Sequence, residues 1–395
     1  MRFLPLFLLL ACGGDKDDDG TQTTPNDSSP TTTSLDTGTS ATTELTFVTY
    51  NAGLARGFVP GADSRQADIA SALGGVDADV ICLQEVWAPD QVSAMESATQ
   101  AAFPHQFWPA AQQSADAVCN KGELDSMLSC FEKSCGGVCT DQVDDCLLDN
   151  CGVPFVLLPK DCMRCAMANV GQDPDGLAAI CQDAPVEYAY DGSFGTGILS
   201  KHPITSVEET VFTSTSNRRS VLHAVVEAPD GPVDVFCTHL TAAFDSIPYP
   251  RDDGDWVAEQ RVQIEDMLAL VEANAGDHAV LLGDMNTGPA VNGMGDEEGD
   301  NWELFDDADG WEVPYLDQDE GDVLCTYCGD NPLVSASPDD DLSRVIDHVL
   351  VHGFSEVLGT GRLLDGLDTV AESCGDVTDP SPLSDHYGVQ ATVAW

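Results

Sequence analysis

The stretch Asp79-Val80-Ile81-Cys82-Leu83-Gln84-Glu85-Val86 sets four apolar residues in a row ahead of a single carboxylate. A short continuous apolar run reads as a strand buried on both faces, as in sheets covered by helices. Glu85 would emerge directly from the end of that strand. Five further segments repeat the plan: Tyr50-Asn51 after 46–50, Thr238-His239-Leu240 after 233–237, Gly283-Asp284-Met285-Asn286 after 279–282, Ile346-Asp347-His348 and Ser384-Asp385-His386. Each puts a metal-seeking or proton-moving side chain just beyond an apolar run. Buried strands would carry these groups to one edge of a sheet, where α/β sheets place their ligand sites. This is the layout of a hydrolytic active site.

Taken in order, the segments resemble the endonuclease/exonuclease/phosphatase superfamily, which includes deoxyribonuclease I, abasic-site endonucleases and bacterial neutral sphingomyelinases. The resemblance covers about residues 44–395, and the stretch between Trp87 and Phe194 matches nothing in it. It implies an α/β fold, a four-layer sandwich of two mixed β-sheets flanked by helices, here with a disulfide-rich insertion. The implied activity is that of a divalent-metal-dependent phosphoesterase, with Mg²⁺ as cofactor and Mn²⁺ or Ca²⁺ as alternatives.

Phosphoester hydrolysis needs a nucleophilic water, a group to take its proton, and positive charge around the non-bridging oxygens. Mg²⁺ is held by one or two carboxylates plus water and substrate oxygens, so Glu85, helped by Asn51 and Asp385, is a sufficient ligand set. His386 is the expected general base, and the resemblance implies that Asp347 fixes its tautomer. Asp284 and Asn286, two residues apart on a Gly-led turn, are expected to position the nucleophile and to contact a phosphoryl oxygen. His239 is shared with the deoxyribonuclease I and sphingomyelinase branches, where abasic-site endonucleases carry Tyr; a protonated His there would stabilise the phosphorane or protonate the leaving oxygen. His348 reads as structural. Gln260, Arg261 and Gln263 approach a recurring Arg-Xaa-Xaa-Gln feature without keeping its spacing, and Arg261 receives no role.

Residues 1–12, MRFLPLFLLLAC, have one positive charge, an apolar run and a small residue before Cys12, which reads as a secretory signal. Leu9-Leu10-Ala11-Cys12 resembles a bacterial lipobox, implying cleavage before Cys12 and lipidation of its thiol. The expected location is the bacterial cell envelope, lipid-anchored at the outer membrane or cell surface. Residues 13–43 are almost wholly Thr, Ser, Asp, Gly and Pro, too poor in apolar groups to offset chain entropy, and read as a tether. Asp15-Lys16-Asp17-Asp18-Asp19-Gly20 fits the opening of a calcium loop but has Asn26 at the twelfth position, so it reads as solvated charge.

Fifteen cysteines fit an oxidising compartment, and nine lie between Cys119 and Cys181, inside an insertion over 110–184. With Cys12 set aside for lipid, and Cys82 and Cys237 set aside because each sits inside an apolar strand pattern, twelve remain, an even number that permits full pairing. The rival reading is zinc at Cys162-Met163-Arg164-Cys165 and Cys325-Thr326-Tyr327-Cys328.

Helices are expected over 65–73, 90–102 and 256–274. Further strands are expected over 195–199, 206–212, 220–227, 345–351 and 389–394, and mostly acidic loop over 293–341. The formal charge of -53, from 68 acidic and 15 basic residues, works against attraction to polyanions. A nuclease would need Lys201, Arg218, Arg219, Arg251, Arg261 and Arg344 gathered at the cleft. The favoured reading is therefore a phosphodiesterase for phospholipid headgroups or small phosphodiesters. The alternatives are a deoxyribonuclease I-like surface nuclease acting on nucleic acid, and a non-catalytic binding protein on the same scaffold. The partners expected are the substrate and, through the lipid anchor, the membrane; no protein partner is expected.

Overall fold

The computed structural model describes residues 43–111, 118–169, 172–183, 193–244, 247–306, 308, 310–334 and 340–395. Cys12, the signal segment, the tether and the acidic run at 15–20 lie outside them. No helix among the described residues is long and apolar enough to cross a membrane.

Among the described residues, fourteen strands run from β1 (Glu44–Asn51) through β2 (Val80–Gln84), β3 (His105–Phe107), β4 (Gly197–Ser200), β5 (Ile204–Val211), β6 (Ser220–Ala228), β7 (Gly231–His239), β8 (Ala279–Asp284), β9 (Trp311–Glu312), β10 (Asp347–His352), β11 (Glu356–Leu363), β12 (Thr369–Ser373) and β13 (Asp376–Ser381) to β14 (Gly388–Ala394). They form two six-stranded sheets, in the orders β11-β14-β1-β2-β4-β3 and β5-β6-β7-β8-β10-β9, with β12-β13 as a separate hairpin. Both sheets are mixed: β1 and β2 are parallel, as are β7 and β8, while β1 with β14 and β10 with β8 are antiparallel.

The apolar runs bury because each strand has a covered face on either side. Phe47, Val80, Cys82 and Ile198 of the first sheet meet Leu222, Val235, Val280 and Leu282 of the second. Each such side chain contributes about 1.5–3 kcal/mol relative to exposure. Outside the first sheet lie α1 (Ala62–Leu73) and α2 (Pro89–Thr99), whose Ile69, Leu73 and Met95 pack on Val48, Ile81 and Leu83. Outside the second lies the long helix Trp256–Asn274, with Ile264, Met267 and Val271 against Phe236 and Leu281. The result is the four-layer sandwich.

The acidic stretch 293–341, expected to be mostly loop, also holds a helix over Gly299–Asp306 and the short β9. Trp302 and Phe305, three apart and so on one helix face, bury against Leu281 and Leu350. The surrounding Asp and Glu residues hide this pair from a composition-based reading.

The insertion folds into helices α3 (Asp125–Cys135), α4 (Val143–Val156), α5 (Lys160–Ala168) and α6 (Pro174–Ala178). Cys119–Cys162, Cys130–Cys151, Cys135–Cys146 and Cys165–Cys181 staple them, and Cys139–Cys374 ties the lobe to the β12-β13 hairpin. Its small core of Leu124, Met127, Met163 and Leu177 is completed by Trp256 of the main domain. Cys325 pairs with Cys328. Every cysteine proposed for zinc is thus in a disulfide, and the zinc reading falls.

One expectation about the cysteines is corrected. Cys82 and Cys237 are not free core thiols; they form a disulfide between β2 and β7 that joins the two sheets. Both residues do lie in strands, β2 and β7, but two inward-facing positions on opposed sheets meet, and an isolated strand pattern cannot show that.

Candidate active site

The strand register builds the site. His239 pairs with Asp284 across parallel β7 and β8, and Asp284 pairs with Asp347 across antiparallel β8 and β10. Three neighbouring strands therefore present imidazole, carboxylate and carboxylate in one row. On the other sheet Asn51 pairs with Gln84, and Glu85 is the next residue. Asp385 and His386 come just before β14.

His386 Nδ1 lies 2.9 Å from Asp347 Oδ2 and 3.9 Å from Asp284 Oδ2. His239 Nε2 lies 3.3 Å from the same Asp284 oxygen, to which Asn51 Nδ2 donates at 2.9 Å. Asn286 N donates to Asp284 Oδ1 at 2.9 Å, closing the turn that the Asp-Xaa-Asn spacing suggested. Asn286 has φ 50°, a conformation Asn tolerates, and its amide donates to Leu240 O at 2.9 Å. Asn51 Oδ1 accepts from Gly53 N. Asn51 therefore orients Asp284 and shapes the loop that follows.

Glu85 differs from its neighbours. It has φ 58°, an uncommon conformation for a side chain of its size, which turns it out of the strand. Its Oε2 is buried with no hydrogen-bond partner among the described residues. Burial, and then the nearby Asp385 carboxylate, push its pKa up to about 7. A buried carboxylate with an open oxygen beside a second carboxylate is the donor set a hard divalent cation takes. Gly53 keeps this corner open, since a Cβ there would run into Asp385 Oδ1 and come within 2.6 Å of Ser384 Oγ.

Asp284, Asp347 and His386 also bring ligand atoms within 4.8 Å of one another and could close on a cation. These three, however, are already committed to one another and to His239 and Asn51 through the contacts above. Glu85 with Asp385 could also hold a cation, and the contacts within the trio suit proton movement.

The electrostatics agree. Burial opposes charge on His386, but Asp347, Asp284 and Asp385 together hold its pKa well above the ordinary value. A cation held by Asp385 would remove one of those influences and bring the imidazole toward the range where it accepts a proton. Burial pushes Asp284 up, yet His239, His386 and the Asn51 hydrogen bond outweigh it and keep that carboxylate ionised. Burial and then Arg219 pull His239 down to about 4, so it is neutral, not the protonated group expected from sequence.

Several supporting residues were not legible as such. Arg219 Nη1 lies 2.8 Å from His239 Nδ1. Thr326 Oγ1 accepts from Ile346 N and Asp347 N at 3.0 and 3.2 Å, and the Tyr327 ring lies 5.1 Å from that of His386. Gln260 donates to Thr241 O and Asn286 O, and Gln263 accepts from Thr241 N, so both brace the loop after His239. Arg261 points outward to Glu265. His348 is buried against Trp302 and shares its Nε2 with Thr287 O at 3.0 Å, as a structural residue would.

Comparison with known proteins agrees with this geometry. The model of the endonuclease/exonuclease/phosphatase family matches residues 48–386. This chain belongs to that family. No curated protein sequence matches it. Among solved structures it is similar to SmcL, with TM-score 0.55 and 14% identity over 89% of this chain and 99% of that one. Sphingomyelinase C from Streptomyces griseocarneus gives TM-score 0.51 and 17% identity over 89% and 99%. A beta toxin from Staphylococcus aureus with bound magnesium ions gives TM-score 0.54 and 13% identity over 88% and 99%. At these identities the likeness speaks for the fold, and the function rests on the site.

Proposed function

We propose that this chain is a magnesium-dependent phosphodiesterase that hydrolyses phospholipid headgroups or other small phosphodiesters at a bacterial envelope, held there by lipid on Cys12. The carrying observation is the Glu85 carboxylate, whose Oε2 has no hydrogen-bond partner among the described residues, in the field of Asp385 and of the His386–Asp347 and His239–Asp284 pairs. Glu85 and Asp385 would hold the cation, with Asn51 adjacent. When bound, it supplies positive charge to the phosphoryl oxygens. His386, fixed by Asp347, takes the proton of the attacking water. Asn286, with one N–H of its side-chain amide left over from Leu240 O, supplies a donor for the charge that grows on the phosphoryl group, and His239 holds Asp284 beside it.

For the substrate, the placement of the cations favours a small or zwitterionic headgroup over a polyanion. Arg219 is buried in the site, Lys201 pairs with Asp77, Arg56 with Asp63 and Asp90, and Arg344 with Glu297. Each of these cations is buried or already has a carboxylate partner, which lowers what it offers a nucleic-acid backbone. An apolar cavity of about 80 Å³ also opens between the insertion and the main domain, lined by Phe58, Met127, Leu148, Ser216 and Phe244. Ser216, on that wall, is three residues from Arg219, so their Cα atoms lie at most about 11 Å apart. On the same lobe Val153 and Leu157 are 70% and 76% exposed, aliphatic groups suited to a lipid surface.

The test is Mg²⁺-dependent phosphocholine release from sphingomyelin liposomes, with His386→Ala as control. Release that is lost in the variant supports the reading. Folded, magnesium-loaded protein that leaves liposomes intact but nicks DNA would replace it with the nuclease.

A further inference from the structure

We propose that Arg219 is a positioning residue of this site, which fixes His239 as the neutral tautomer with its proton on Nε2. The residue lies immediately before β6 and its main chain is clamped. Phe212 N donates to Arg219 O at 2.9 Å, and Arg219 N donates to Ser214 Oγ at 3.0 Å. Glu259, buried on the long helix Trp256–Asn274, anchors the same loop by accepting from Thr215 N and from the Tyr249 hydroxyl, each at 3.0 Å. The side chain therefore enters the site from a rigid base, and only 5% of the residue is exposed.

The argument is one of donors and acceptors. A guanidinium has five N–H donors, no acceptor, and does not give up its proton inside proteins. At 2.8 Å from Arg219 Nη1, His239 Nδ1 must offer a lone pair. The ring proton is then on Nε2, 3.3 Å from Asp284 Oδ2, where it donates. A carboxylate in place of Arg219 would enforce the reverse, because a carboxylate accepts and would require Nδ1–H. It would also favour imidazolium, whereas a fixed cation opposes it. The Trp87 ring, 5.9 Å from the guanidinium carbon and 6.3 Å from the imidazole, fills in around both groups.

The consequence is a preset His239–Asp284 hydrogen bond in a dry site, which holds the Asp284 carboxylate in place without reorganisation as charge develops on a substrate. A second consequence is a permanent positive charge in the field of Glu85 and Asp284, present before any cation binds. His239 works through hydrogen bonding, and Arg219 works through His239.

The test uses the full-length chain. ¹⁵N spectra of the imidazole rings in metal-free protein, with His239→Gln to assign the signals, read the tautomer without substrate. A protonated Nε2 with a bare Nδ1 at neutral pH is expected; a protonated Nδ1 overturns the proposal with no variant needed. In Arg219→Met the ring should lose its single tautomer. Its kcat should fall about 100-fold with KM within about threefold, and Arg219→Lys should restore at least about tenfold of that. An Arg219→Met protein with the parent spectrum and parent kcat overturns the proposal. The turnover arm rests on the phosphodiesterase reading and the spectrum does not. A parent that cleaves no phosphodiester yet shows the Nε2–H ring would remove that reading and support this one.

Discussion

His386, in the segment before β14 of one sheet, and Asp347, the first residue of β10 in the other, meet at 2.9 Å over the end of the sandwich. A carboxylate on Nδ1 sets the tautomer and leaves Nε2 to take a proton. The pair depends on both sheets keeping their register, and the Thr326 hydroxyl holds the main chain at Asp347. His386→Ala and Asp347→Asn should each lower kcat about 10²–10⁴-fold. Because the two act as one unit, the double variant should lose little more than the worse single one. Steady-state kinetics of all three proteins would check this, and losses that multiply would break the pairing argument.

Glu85 makes a prediction about stability that turnover does not touch. Its folded pKa, about 7, stands above the unfolded value of 4.5. Below pH 4.5 both states are protonated and the site costs nothing. As pH rises toward 7 the unfolded chain ionises first, so the metal-free protein loses up to about 3 kcal/mol. Urea denaturation in chelator should show this loss, Glu85→Gln should remove it, and Mg²⁺ should offset it in the parent alone. A Glu85→Gln protein that still binds Mg²⁺ with parent affinity would move the metal to Asp284, Asp347 and His386.

Strand-end residues were the legible part of this site because each follows an apolar run that can only be buried. Glu85, His239 and Asp284 all sit where such a run stops, and the register then places them. What supports them was not legible. Arg219 precedes its strand and looks like one more surface base; only the fold reveals that its loop turns it inward. The Cys82–Cys237 bridge was missed for the same reason, since each half looks like ordinary core. Trp302 and Phe305 were masked by their acidic surroundings, where composition outweighed a helical spacing of two residues.

His348 should make the fold sensitive to acid. Burial pulls its pKa down to about 4, against 6.5 in an unfolded chain, with the Thr287 carbonyl opposing that shift. Between these values the unfolded state binds more protons, so stability falls as pH drops from 6.5 to 4, by about 3 kcal/mol. His239 adds a term of the same sign. Denaturation midpoints at pH 7 and pH 4.5 should therefore move closer together in His348→Gln than in the parent. Equal slopes in the two proteins would mean that His348 is not buried neutral.

Cys82–Cys237 closes 155 residues of chain, whereas Cys325–Cys328 closes three. If cross-links act by restricting the unfolded chain, the first should stabilise far more than the second, although the insertion's own bridges shorten its effective loop. Replacing Cys82 and Cys237 together by Ala should cost about 2–4 kcal/mol, and the cost includes lost packing between the sheets. Replacing Cys325 and Cys328 by Ser should cost about 1 kcal/mol or less. Urea unfolding of the two double variants decides the order. Equal losses would show that the bridge between the sheets adds nothing beyond the core that already holds them together.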